Sequence, residues 1–213
     1  MTQSGRTGAS ARRSRRVGAL PASWYARCAE DVARDLLGMV VMSVVDDVET
    51  AGRIVETEAY VGPHDDASHA AARTGRTLRN ESMFGAPGIA YVYRIYGIHW
   101  CLNVVTDSVD FPAAVLIRAL EPVSGLEEMR RRRMVRGKPV SDQALTSGPG
   151  RLAQALGITG VLDAHPLDRP PLVVLPGDPP EAADVIQGPR IGITRAADWP
   201  LRFHIRGNRW VSR

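Results

Sequence analysis

Apolar and polar positions alternate in short runs over much of this chain, and these runs alternate with turn-forming clusters rather than with long helical stripes. Met39 to Val45 is rich in valine, Asp46-Asp47 can turn, and Gly52 to Tyr60 returns, which predicts an antiparallel strand pair. Within Arg53 to Pro63 a period of two places Ile54, Glu56, Glu58 and Tyr60 on one face and Val55, Thr57 and Ala59 on the other. Tyr91 to Val105 holds two further β-type runs that meet at Tyr96-Gly97, predicting a hairpin whose tip offers an aromatic ring and Ile98 to water. Ala113 to Leu120 reads as another strand, with Arg118 its only charge. A lone arginine in such a run calls for a carboxylate partner.

Helical patterns are few and short. Glu30 to Leu37 reads as the end of an amphipathic helix stopped by Gly38. Ser124-Gly125-Leu126-Glu127 has the form of a capping box and predicts a helix to about Met134, and Pro149 to Leu156 predicts a second, ended by Gly157. Residues 62 to 88 form a long stretch rich in Gly, Pro, Asn, Asp and Ser, the kind of loop that carries function. A possible strand at Leu172 to Leu175 lies in the Pro- and Gly-rich segment 163 to 189, and a final pair is predicted over Arg190-Ile193 and Leu201-Ile205. No internal repeat, phosphate-binding loop or dinucleotide fingerprint is present.

Composition narrows the class. With 213 residues, 44% hydrophobic and 23% charged, the chain is expected to be one globular domain with a sizeable core. No apolar run approaches the roughly 18 residues of a membrane span, and the start lacks the apolar stretch of a secretory signal, so a cytoplasmic, nucleoid-associated location is expected. Cys28 and Cys101 are too few for a disulfide framework. Arg6, Arg12, Arg13, Arg15 and Arg16 put +5 into residues 1–17 out of a total of +4, leaving the remainder near −1. That tail is expected to be a disordered basic arm able to touch nucleic acid, ahead of a single domain over residues 18–213. Arg130 to Arg133, with Arg136 and Lys138, form a second basic cluster that reads equally as a phosphate-binding surface or a solvated helix end.

Glu56 and Glu58 carry the chemical signal. A carboxylate among apolar walls has its charged form disfavoured and is tuned toward general-base work near neutral pH; a solvated strand face is the plain alternative. A second candidate chemistry is metal-dependent hydrolysis, since His64, Asp65, Asp66 and His69 offer nitrogen and oxygen ligands at short spacing.

Read in order, Glu56-Thr57-Glu58-Ala59-Tyr60, Met83-Phe84, Pro87-Gly88, Tyr91-Val92-Tyr93 with Tyr96-Gly97, Cys101 and Asn103, and Arg118-Ala119-Leu120-Glu121-Pro122 resemble the alkyladenine (3-methyladenine) DNA glycosylases. Ser147-Gly148-Pro149 with Leu152 and Gln154-Ala155-Leu156, then Pro200-Leu201-Arg202-Phe203, Arg206-Gly207 and Val211-Ser212, continue the match, so that it covers residues 30 to 213. The resemblance implies an α+β fold: a single compact domain with a curved, largely antiparallel β-sheet flanked by short helices and a protruding β-hairpin. It implies an enzyme that starts base excision repair by flipping damaged purines out of double-stranded DNA and hydrolysing the N-glycosidic bond, as a monomer, without metal or cofactor. A non-catalytic module that only binds damage is the rival reading, and Glu58 with Arg118 speaks against it.

By position in the motifs, the resemblance implies that Glu58 activates the attacking water and that Arg118 keeps it ionised and oriented. Tyr60, His69 and Tyr93 would hold the flipped base, with stacking worth roughly 1–3 kcal/mol per base, and Asn103 would screen it. Tyr96 would fill the vacated stack, while Arg94, Ile98, His99, Arg130 and Arg151 would face the DNA. Ile98 and His99 depart from the family pattern beside the wedge, as does His64 after Gly62-Pro63, where an acid is usual.

Overall fold

The computed structural model describes residues 18–68 and 74–212. The arginine tail and its expected disorder, His69, and Arg213 lie outside the described residues. Nine strands are seen among those described: β1 (Val40–Val45), β2 (Val48–Tyr60), β3 (Ala90–Ile95), β4 (His99–Thr106), β5 (Ala113–Ser124), β6 (Asp168–Arg169), β7 (Leu172–Leu175), β8 (Val185–Gly188) and β9 (Arg202–Ile205). They form one curled antiparallel sheet in the order β3-β4-β5-β2-β1-β7-β6, with β9 joining β2 to β8. The helices are short: α1 (Ala22–Tyr25), α2 (Ala29–Asp35), α3 (Leu126–Arg132) and α4 (Pro149–Leu156). This is the α+β domain expected.

The two hairpins follow from their turns. Asp46 and Asp47 both take positive φ, 54° and 60°, the twist that matches paired strands, and Val45 then faces Val48. Tyr96 and Gly97 do the same at the tip between β3 and β4, where φ is 52° and 67°. Along β2 to β5 the period of two divides the side chains cleanly. Ala59, Val92, Leu102, Val104, Val115 and Ile117 enter the main core against Val32, Ala33 and Leu36 of α2 and Leu152, Ala153 and Leu156 of α4. Burial of such aliphatic groups stabilises the fold by about 1.5–3 kcal/mol each. The opposite face carries Glu58, Tyr60, Tyr91, Tyr93, Cys101, Asn103, Leu116 and Arg118.

Four local expectations need correction. Ile54 does not share a face with Glu58: it lies in the main core, while Val55 packs with Ala119 and Trp210 in a separate cluster. The cause is an irregularity in the β2–β5 register, where Ile54 faces Leu120, Glu56 faces Ala119 and Thr57 faces Ile117, so that Val55 and Arg118 have no cross-strand partner. Ser124 does not cap α3 either. It ends β5, its hydroxyl 3.4 Å from Glu49 Oε1, and Gly125 at φ 73° is the cap. A Cβ at Gly125 would stand 2.4 Å from the Glu49 carbonyl, so this turn from strand to helix admits glycine alone. That helix ends at Arg132 rather than Met134, because Arg133 turns inward to bond Gln154 and the Ala144 carbonyl. Finally, β9 pairs with Val185–Gly188, not with residues 190 to 193.

Residues 190 to 193 have other duties. Arg190 is buried and forks onto Asp65, with Nη1 2.5 Å from Oδ2 and Nη2 2.7 Å from Oδ1, while Nη1 also donates to the Ala59 carbonyl at 2.8 Å. The pair has no solvent exposure at either side chain, and it ties the loop after β2 to the segment that follows β8. Its guanidinium also covers the Tyr60 ring at 4.8 Å. Removing one partner would strand the other charge in the interior, so Asp65→Ala should lower stability by about 3–5 kcal/mol. Chemical denaturation of the two proteins checks this, and a change below about 1 kcal/mol, the range of an exposed pair, would mean that water reaches Arg190.

Candidate functional site

The strand register brings residues distant in sequence into one cross-sheet row. Tyr91 faces Asn103, Asn103 faces Leu116, Leu116 faces Glu58, and Glu58 faces Arg202. Above this row lies a cavity of about 750 Å³, within the roughly 300–1,000 Å³ usual for small-molecule sites. Tyr60, Tyr91, Tyr93, Cys101, Asn103, Leu116 and Arg118 line it, Tyr96 stands on its rim, and Ile191 to Arg195 close one side. Tyr60 faces Ala114 on β5, and that small side chain leaves space beneath the ring.

Glu58 is fully buried beside this cavity, which removes the solvated-face alternative. Its Oε1 accepts from the Ile191 backbone N–H at 2.7 Å and lies 3.1 Å from Arg118 Nη1. Its Oε2 accepts from the Tyr60 hydroxyl at 3.1 Å. Each carboxylate oxygen can accept twice, so Oε2 retains an acceptor position that these protein donors leave open. Burial pushes Glu58 above the usual carboxylate range. Arg118, the Ile191 N–H and Tyr60 pull the other way without winning, and the charge of Glu56 adds to the rise.

Glu56 has the opposite balance. Burial again opposes its charge, but Arg118, the Ser212 backbone N–H and Arg202 overcome it and hold the carboxyl below its ordinary value. Its Oε1 accepts from Arg118 Nε at 3.1 Å, Arg202 Nε at 2.6 Å and the Ser212 hydroxyl at 2.9 Å, and its Oε2 accepts from Ser212 N at 2.7 Å. One buried arginine thus stands between two buried glutamates whose proton affinities are driven apart, a separation typical of sites that do acid–base work.

The aromatic walls are held as neutral donors. Burial, with Glu58 and Tyr93 nearby, raises Tyr60 well above its ordinary value, and burial followed by Cys101 raises Tyr93. Tyr91 and Tyr93 stack with centroids 5.2 Å apart. Asn103 donates from Nδ2 to the Tyr91 carbonyl at 3.0 Å, which orients its amide over the cavity. Burial pushes the Cys101 thiol up to about 11, so it is a wall and not a nucleophile.

Of the residues picked from the sequence, Glu58, Tyr60, Tyr93, Asn103 and Arg118 converge here, and His69 lies outside the described residues. Tyr96 and Ile98 stand at the hairpin tip, 82% and 68% exposed. His99 lies against Gly150 at the start of α4, lining a second hollow with Ser147 and Arg151. Arg151 donates to Ser147, and Arg94 is exposed with its guanidinium 5.6 Å from the Trp100 ring. Arg130 is drawn between Glu127 and both oxygens of Asp142. The proposed metal quartet does not fit: Asp65 is taken up by Arg190 and by the backbone N–H groups of Val61 and Ala67. No three His, Cys, Asp or Glu side chains among the described residues are grouped to hold a metal ion.

Sequence reasoning gave no role to Arg202, Ser212 or the Ile191 N–H. Arg202 and Ser212 belonged to quoted motifs, but nothing in a linear pattern joins the end of the chain to β2. The composition of residues 62 to 88 likewise gives no individual role to Thr77, Arg79 or Asn80. Asn80 Oδ1 accepts from the Thr77 backbone at 2.6 Å, and Arg79 donates to the Arg94 carbonyl at 2.6 Å, which fastens the cavity rim to the hairpin.

The chain is similar to known proteins of one family. Residues 23–209 match the family described as methylpurine-DNA glycosylase. A protein of Methanoculleus marisnigri, provisionally named a 3-methyladenine DNA glycosylase, is 51% identical over 197 residues, covering 91% of this chain and 98% of its own. Relatives with the same provisional name occur in Nitrobacter winogradskyi, at 48% identity over 91% of this chain and 87% of theirs, and in Myxococcus xanthus, at 47% over 91% and 93%. No helix among the described residues is long and apolar enough to cross a membrane.

The shared arginine sets a pH signature. Arg118→Met would leave the carboxylates facing one another without the cation between them, at a loss of about 3–5 kcal/mol near neutral pH. Glu58 above all would then bind its proton more tightly folded than unfolded, a contribution present at low pH and lost as pH rises through the raised value. Melting the variant and the parent at about pH 5.5 and about pH 8 should therefore show a smaller deficit at the lower pH. An equal deficit at both would mean that Glu58 is not the group left uncompensated.

Proposed function

The chain belongs to the methylpurine-DNA glycosylase family and is a DNA glycosylase, and from that premise we propose that it turns a damaged purine out of duplex DNA and cleaves its N-glycosidic bond with a water activated by Glu58. The observation that carries this reading is the carboxylate itself. Glu58 is buried against Tyr60, Arg118 and Ile191, which line an aromatic cavity, has a raised proton affinity and keeps one acceptor position open on Oε2.

In the proposed reaction the purine stacks on Tyr60 and Tyr93 and is screened by Asn103, with Tyr96 filling the gap it leaves in the helix. Flipping costs a few kcal/mol of stacking, least for a damaged or mispaired base. As the bond from C1′ to the base nitrogen lengthens, positive charge grows on the sugar, and the Glu58 carboxylate stabilises it. The water oxygen bonds to C1′, its proton passes to Glu58 Oε2, and the bonding electrons leave with the base. Cationic alkylpurines, the class that includes 3-methyladenine and 7-methylguanine, depart as neutral molecules. Neutral lesions such as hypoxanthine and ethenoadenine need a proton on the base as well. His99 and Arg151 line the hollow beside the cavity, and Arg94 and Ile98 are exposed on the β3–β4 hairpin, where DNA would lie, whereas Arg130 would first have to leave its carboxylates.

Single-turnover release from duplexes carrying one 7-methylguanine or one hypoxanthine, with EDTA present, tests the proposal. Glu58→Gln should lose at least about a hundredfold in rate, the lower end of what a positioned base contributes, while still binding the duplex. Unchanged turnover would exclude Glu58 as the base, and loss of release on adding EDTA would point to a metal. The pH profile adds an independent check. Because the active form is the carboxylate and burial raises its pKa, the acid limb should fall above the ordinary glutamate value of 4.5. A limb at or below that value would mean that another group supplies it.

A further inference from the structure

Glu56 accepts from four donors: two guanidinium nitrogens, a backbone N–H and a hydroxyl. Its side chain has no solvent exposure, and a buried ionised carboxylate is retained only where its partners compensate it. Arg118 distributes its three nitrogens over three partners. Nε goes to Glu56 at 3.1 Å, Nη1 to Glu58 at 3.1 Å, and Nη2 to the Ser212 hydroxyl at 3.2 Å. An unrestrained guanidinium beside a single carboxylate forks onto both of its oxygens. Here it reaches Oε1 of Glu58 alone, and Oε2 is left to Tyr60 and the open position.

We propose that Glu56 is a positioning residue for this reaction: with Ser212 it anchors the Nε and Nη2 edge of Arg118, so that one arm of the guanidinium orients Glu58, and its negative charge keeps that guanidinium from quenching the basicity of Glu58. The proposal rests on the reading of Glu58 as the general base. Two carboxylates and two guanidiniums form the balanced cluster, with Arg202 serving Glu56 from β9. His204, opposite Glu56 on the same strand, has its proton affinity lowered by burial and then by Arg202. On the Glu58 side the facing groups are Arg118, the Ile191 N–H, and the protonated hydroxyls of Tyr60 and Tyr93. Removing the charge of Glu56 acts on Glu58 in one direction, because a repelling anion is lost and the full attraction of Arg118 is released.

The chain end belongs to this device. Ser212 bonds Glu56 through both its backbone and its hydroxyl, and the segment is seated by Trp210 against Val55 and Ala119. The register irregularity in β2 and β5 falls at the same place, leaving Val55 and Arg118 free of the pairing that would align them with a neighbour. Backbone, charge and chain terminus therefore converge on the orientation of a single guanidinium.

The test is the pH profile of single-turnover release from the 7-methylguanine duplex for the full chain and for Glu56→Gln, Glu56→Asp, Ser212→Ala and Glu58→Gln. Glu56→Gln should lower the plateau at least about tenfold and move the acid limb about one unit lower. Glu56→Asp keeps the charge and should leave the limb in place while the plateau falls. Ser212→Ala keeps every charge and loosens the anchor, so its plateau should fall several-fold with the limb unmoved. A Glu56→Gln protein that loses rate with its limb in place would reduce Glu56 to a structural role and overturn the proposal. If Glu56→Gln does not fold, Ser212→Ala and Glu56→Asp decide: wild-type plateaus in both would refute anchoring. Failure of the parent to release base, or full activity of Glu58→Gln, would instead sink the underlying reading of Glu58.

Discussion

A guanidinium shared by two buried carboxylates organises this protein. Placing Glu56, Glu58 and Arg118 inside a sheet takes three charges out of water, a step that is tolerated only when opposite charges and hydrogen-bond donors compensate them. The sheet meets that demand with its own register and with two segments from late in the chain. Ile191 supplies an N–H to Glu58, Ser212 supplies an N–H and a hydroxyl to Glu56, and Arg202 arrives on β9 as the second cation. The asymmetry between the glutamates follows. The one with more donors has its proton affinity lowered, and the one with fewer has it raised.

The rest of the fold can be read as support for that cluster. One face of β2 to β5 is apolar and pressed against α2 and α4, which fixes the strands rigidly enough for the other face to carry chemistry. The buried Asp65–Arg190 pair holds the cavity's Tyr60 wall from beneath, and the same segment then delivers Ile191 to Glu58. At the rim the order of priorities changes. Tyr96 and Ile98 are exposed on a tight turn whose φ angles are set by hairpin twist, so the apolar groups aimed at solvent sit on a stiff support.

Much of this was legible in the residues. Val40 to Tyr60 folds as a hairpin because a valine-rich run leads into a turn-forming Asp46-Asp47, and α4 begins at Pro149 and stops at Gly157 because proline suits a helix start and glycine its end. The Tyr96-Gly97 tip and the need of Arg118 for a carboxylate were also readable locally. Family motifs marked Tyr60, Tyr93 and Asn103, and the sheet brings these to one cavity. What failed were inferences that assumed uniform strands or local caps. Ile54 changed faces at a register irregularity, Ser124 yielded the cap to a left-handed Gly125, and residues 190 to 193 gave up strand pairing to serve Asp65 and Glu58.

The amino-acid sequence by itself determined most of the longer strands, the hairpin turns, the helices α2 to α4 and the chemical types gathered in the motifs, because each of these depends on neighbours a few residues apart. Only the tertiary structure decided which glutamate has its proton affinity raised and which lowered, which arginine nitrogen meets which oxygen, and that the last described residue, Ser212, bonds Glu56. Those outcomes depend on desolvation and on donors brought from more than a hundred residues away, and neither quantity is present in a linear pattern.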